Sequence, residues 1–92
     1  MAIAALKIRV MPDSIEANLN AILKESEEKI NEVGNNAKLH SHEIQPIAFG
    51  LKALILTLAW PEEKEQELIE SKLREISNVQ SVEVIDFRRS IG

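Results

Sequence analysis

Apolar and polar positions alternate along the first segment, with Leu6, Ile8 and Val10 on one parity and Ala5, Lys7 and Arg9 on the other. A period of two predicts a strand with one buried face, and Met11-Pro12 ends it because proline cannot extend a central ladder. The period then lengthens. Ile15, Leu19, Ile22, Leu23, Ile30 and Val33 fall on one helical face, with Ser26 as a gap. Asp13 or Ser14 is the expected cap, and Asp13 and Glu16 are expected near the positive end of the helix. Glu25 and Lys29 are spaced as a one-turn ion pair, and Gly34-Asn35-Asn36 reads as a left-handed stop.

The segment from about Lys38 to Gln45 is polar (His40, Ser41, His42, Glu43), which suits an edge strand. Gln45 to Gly50 reads as a short link punctuated by proline and glycine. Leu51 to Trp60 is apolar on both parities, as a central strand covered on both faces would be. Pro61 closes it. Glu62 to Ile76 predicts a second helix with Leu68, Ile69, Leu73 and Ile76 on its apolar face and Glu62 and Glu63 in its first turn. Ser77-Asn78 breaks it. Val79 to Phe87 predicts a last strand with Val82 and Val84 inward, followed by a short tail from Arg88 to Gly92.

The order strand–helix–strand–strand–helix–strand predicts an α+β, ferredoxin-like βαββαβ sandwich: a four-stranded antiparallel sheet with both helices on one face. Right-handed crossovers make the strand order 4-1-3-2, with the two most apolar strands in the centre. The 92 residues make one domain, spanning 1–92.

Composition removes several functions. There is no cysteine, so no disulfide, thiolate metal site or thiol nucleophile. The net charge of −4 and three aromatic residues argue against a direct nucleic-acid partner. No run is long enough to be a membrane span or a signal peptide, and the cytoplasm is the expected compartment. The glycines at 34, 50 and 92 make no phosphate loop, and no nucleophile–base constellation stands out, so neither an enzyme nor a cofactor is expected. His40 and His42, two apart on one strand face, read as either a metal or pH-sensing pair or solvated edge residues; no third ligand is spaced for a metal. The glutamate clusters at 25–28 and 62–67 read as solvated helix faces. Phe49, beside Gly50 at a hairpin tip, either folds onto the core or stands out as an anchor. Arg88-Arg89 reads as a solubilising end, pairing with Glu83 or Asp86, or as a cationic hook for phosphate or carboxylate.

Two stretches, Glu43 to Leu54 with its Pro46-Ile47-Ala48-Phe49-Gly50 core and Val79 to Arg89 with its Val84-x-Asp86-x-Arg88-Arg89 ending, resemble the translation elongation factor 1-beta family in its short archaeal form. The resemblance extends over essentially the whole chain. It implies the guanine-nucleotide-exchange domain fold and exchange of GDP for GTP on elongation factor 1-alpha, a GTPase partner. It also implies that Phe49 packs on the GTPase and that Arg89, where relatives carry a lysine, reaches toward the magnesium and phosphate region together with Arg88. Ala48 stands where glycine is common in eukaryotic relatives. On this reading Phe49, Gly50, Lys52, Lys7 and Arg9 form the partner-binding set, with Lys7 and Arg9 on the open sheet face beside the apolar open side of the third strand. The competing reading is a regulatory domain of the same fold that binds a small ligand and dimerises through its sheet. The turn after the first strand lacks the glycines such a domain uses.

Overall fold

A computed structural model describes residues 3–34 and 37–89. Their elements run β1 (Ile3–Pro12), α1 (Leu19–Val33), β2 (Lys38–Ala48), β3 (Leu51–Pro61), α2 (Gln66–Arg74) and β4 (Val79–Arg89). They build one sheet of order β2-β3-β1-β4, with every neighbouring pair antiparallel. This is the order 4-1-3-2 expected from the pattern.

One parity of the central strands makes the floor of the core: Leu6, Ile8 and Val10 from β1, and Leu54, Leu56, Leu58 and Trp60 from β3, all buried. Val82 of β4 extends the floor beside Val10, and Ile22 and Ile30 of α1, Ile69 and Leu73 of α2, and Ile76 close over it. Removing these side chains from water drives the fold. The gap at Ser26 lies in the centre of the buried face of α1. Its hydroxyl donates to the Ile22 carbonyl at 2.7 Å, so no buried donor is left unpaired.

Both helices start later than the periodicity predicts. The Asp13 N–H donates to the Asn78 carbonyl at 2.9 Å, which ties residues 13–17 to the start of β4. The cap is therefore Asn18, whose Oδ1 accepts from the Ala21 N–H at 3.1 Å, and the first turn of α1 carries no acid. Ile15 is left outside the helix, 66% exposed. At α2, the Trp60 indole donates to the Lys64 carbonyl at 3.0 Å and the Lys64 N–H donates to the Pro61 carbonyl at 3.1 Å. That turn holds Glu62 and Glu63 ahead of the helix, whose own first-turn acid is Glu67. Leu68 is exposed rather than part of the core. Lys29 pairs with Glu75 at 3.7 Å across the two helices rather than with Glu25. Gly34, with φ +70°, ends α1, and its N–H donates to the Asn31 carbonyl. Asn35 and Asn36 lie outside the described residues.

Four strand boundaries differ too. β1 runs on through Met11 and Pro12, which pair with Ser81 and Val79 of β4 alone, past the last β3 partner at Val10, so proline costs no bond on that side. β2 continues through Pro46 to Ala48, because an edge strand can turn the side without an N–H away from the sheet. β3 takes in Pro61. β4 includes Arg88 and Arg89, which pair with Ala5 and Ala4 of β1, so the arginine pair is strand and not tail.

Candidate functional site

Ala48 pairs with Leu51, leaving Phe49-Gly50 as a two-residue hairpin loop. Phe49 has φ +54° and Gly50 φ +81°. Positive φ at both positions is the requirement of the type I′ turn, whose twist matches that of the flanking strands. Glycine adopts it freely. Phenylalanine does so at a cost of about 1–2 kcal/mol, and asparagine or aspartate is the usual occupant. The Phe49 side chain is 100% exposed, so no burial offsets that cost. A strained, fully exposed aromatic at a loop tip is the form of a binding anchor. Ile15 lies beneath the tip: a Cβ placed on Gly50 would sit 3.8 Å from its Cγ2.

The arginines stand at the other end of the sheet. The 11 residues of β3, at about 3.3 Å each, put roughly 33 Å between the hairpin tip and the Arg89 end. A β-bulge decides how the arginines point. Lys7 pairs with Asp86 but Ile8 with Val84, which leaves Ile85 as an extra residue. Before the bulge the helix-facing residues are Val82 and Val84; after it, Phe87 pairs with Leu6 on the helix side, where it packs against the core. Arg88, opposite Ala5, therefore lies on the open face and Arg89, opposite buried Ala4, on the helix side. Arg88 Nε pairs with Asp86 Oδ2 at 3.0 Å, and Arg89 Nε with Glu62 Oε1 at 3.1 Å. Both side chains remain about four-fifths exposed, at 80% and 79%.

Between these ends the open face carries transverse rows of paired residues. One runs Glu43, Ile55, Arg9, Glu83, and the next Ser41, Thr57, Lys7, Asp86. Arg9 is ion-paired with Glu83. Ala53 and Ile55, the apolar open side of β3, are buried, because longer side chains in these rows flank them. The open face thus presents charge and little bare apolar area at its centre. Lys52 lies elsewhere. It shares the parity of Leu54 and lines a hollow of about 200 Å³ on the helix side with Ser14, Ile15, Ala17 and Leu19.

The two histidines part company through a second bulge. Leu39 pairs with Leu58 and Ser41 with Thr57, so His40 is the extra residue and lines the open face, while His42 pairs with core-facing Leu56. They are not on one strand face. No group of three His, Asp or Glu side chains placed to hold a metal occurs among the described residues. No helix among them is long and apolar enough to cross a membrane.

Two exposed projections, one aromatic and one cationic, thus stand at opposite ends of the open-faced sheet. The family model described as the EF-1 guanine nucleotide exchange domain matches residues 5–89. The chain belongs to this family, and its function is guanine-nucleotide exchange in translation elongation. It is similar to elongation factor 1-beta of Methanosarcina acetivorans, 42% identical over 97% of this chain and 99% of the relative. The same protein of Methanothermobacter thermautotrophicus is 40% identical over 89% and 90%. That of Archaeoglobus fulgidus is 36% identical over 94% and 96%.

Proposed function

We propose that this chain promotes exchange of GDP for GTP on elongation factor 1-alpha in the cytoplasm, regenerating the GTP form that carries aminoacyl-tRNA to the ribosome. The family match over residues 5–89 supports the activity, and the exposed, strained Phe49 is the observation that carries the site. No bond is made or broken on this chain. Exchange needs only tighter binding to the nucleotide-free GTPase than to its GDP form; by linkage, GDP then binds more weakly by the same factor.

In this reading Phe49, presented by Gly50, anchors one end of the contact. Lys7 and Arg9 meet the GTPase from the open face, and Lys52 meets it from the helix side of the hairpin. Arg88 and Arg89 act at the far end on the carboxylate and phosphate groups that hold magnesium and nucleotide. Their divergence gives them separate tasks: Arg88 faces the surface covered by the partner, and Arg89 reaches around the edge of the sheet. A guanidinium fork favours paired oxygens, which carboxylates and phosphates both offer.

The test is release of a fluorescent GDP analogue from elongation factor 1-alpha into excess unlabelled nucleotide. Acceleration should grow with the concentration of this protein and fall when Phe49, or the Arg88-Arg89 pair, becomes alanine. No acceleration by folded protein with an active GTPase would leave only the fold, and a ligand-binding role would replace exchange.

A further inference from the structure

Two of the edge-strand bulges sit at the same level of the sheet. His40 bulges from β2 beside Thr57, and Ile85 bulges from β4 beside Lys7, which is paired with Thr57. Bulges at sheet edges re-aim side chains, and these two turn His40 and Arg88 onto the open face. Between them the face drops into a groove of about 340 Å³. Ile3, Ala5, Thr57 and Ala59 make its floor, and His40 on β2 and Arg88 on β4 its rim. The floor is low because its side chains are mostly small, while the neighbouring rows carry Lys7, Arg9 and Glu43.

None of the residues that line the groove is acidic, although the chain as a whole is. Asp86 holds Arg88 through Nε. A guanidinium held that way still offers its Nη pair to a second carboxylate, and either neutral tautomer of imidazole offers one N–H. β2 and β4 are three strand spacings apart, about 14 Å, a span that four extended residues cover.

We propose that this groove receives an extended, acidic segment of the GTPase, with aliphatic or small side chains on the floor and carboxylates at the His40 and Arg88 rims. The inference rests on the exchange reading above and adds His40, Ala59 and Ala5 to the contact surface. Charge complementarity selects the occupant: an apolar floor alone would take any small hydrophobic segment, whereas the Arg88 guanidinium on one rim and the His40 imidazole N–H on the other favour one that carries carboxylates.

Two variants probe the groove from different directions. Ala59→Leu fills the floor without altering charge, and it lies on the open face, away from the core. His40→Glu puts a carboxylate on one rim, across the groove from Arg88, on an exposed edge strand. In the nucleotide-release assay each should raise the concentration of exchange factor giving half-maximal acceleration by about tenfold, the scale of one interfacial contact of about 1.4 kcal/mol. Thermal midpoints within a few degrees of the parent show that both variants fold. If both variants match the parent while Phe49→Ala slows release, the groove proposal is wrong and exchange stands. If the parent itself gives no acceleration, the exchange reading and the groove proposal fall together. If the variants instead change sedimentation of the chain alone, the groove is a contact between copies and the proposal is overturned.

Discussion

Replacing Phe49 with asparagine separates what this residue costs the fold from what it does for binding. With φ +54° at residue 49 and +81° at residue 50, the tip is a type I′ turn in which Asn-Gly is the favoured pair. The parent side chain is fully exposed, so Phe49→Asn removes no buried area. It relieves most of the left-handed penalty, about 1 kcal/mol of the 1–2 kcal/mol typical of that region. For a domain of this size 1 kcal/mol moves the thermal midpoint by about 4–8 °C, so Phe49→Asn should melt several degrees higher. Phe49→Ala keeps a Cβ and therefore the strain, and should melt within about 0.5 kcal/mol of the parent. Both should lose the aromatic anchor, costing at least about 2 kcal/mol of partner binding, or roughly thirtyfold in the concentration needed for exchange. Calorimetry and fluorescent-GDP release, run on the same preparations, read the two effects. A lower melting point for Phe49→Asn would refute the strain argument, because it would mean that the aromatic ring stabilises the free protein. An unchanged exchange curve would refute the anchor.

Other residues give sharper tests of single interactions. Glu62→Gln should leave stability within about 1 kcal/mol, because its partner Arg89 is largely exposed. The same change should weaken exchange about fivefold by freeing Arg89 rotamers that cost about 1 kcal/mol to reorder; faster exchange would mean that Glu62 restrains Arg89 instead. Trp60→Phe removes the bond from the indole to the Lys64 carbonyl and some core volume, and should lower urea-unfolding stability by roughly 2–3 kcal/mol. A loss under 1 kcal/mol would show that the turn before α2 holds without it. Ser26→Ala should change stability by no more than about 0.5 kcal/mol, since its hydroxyl bonds only within its own helix, to Ile22. Ser26→Val should cost about 1–3 kcal/mol by overpacking the same site.

Much of the architecture was legible because it depends on local period. Alternation in Ile3–Pro12, two apolar parities in Leu51–Pro61 and two helical faces leave one economical way to bury their apolar sides, and the strand order follows from it. Phe49 was legible as a tip residue, but not its exposure, because a phenylalanine beside a turn can fold either way. The start of α1 is not legible, because Asp13, Ser14 and Asn18 are all good caps. A bond from Asp13 to Asn78, 65 residues away along the chain, selects among them.

What the sequence by itself determined is the set of elements, their order in the sheet and the face each central strand buries, because these follow from short-range periodicity and the need to remove apolar surface from water. What only the tertiary structure decided is the direction of the functional side chains. One extra residue at His40 and one at Ile85 reverse the parity of their strands, putting Arg88 and Arg89 on opposite faces and separating His40 from His42. No glycine or proline stands at either bulge to announce it. At Ile85 the bulge lets Val84 and Phe87, on either side of it, both pack on the core, and at both places only pairing with the neighbouring strand shows where the surplus residue is set aside.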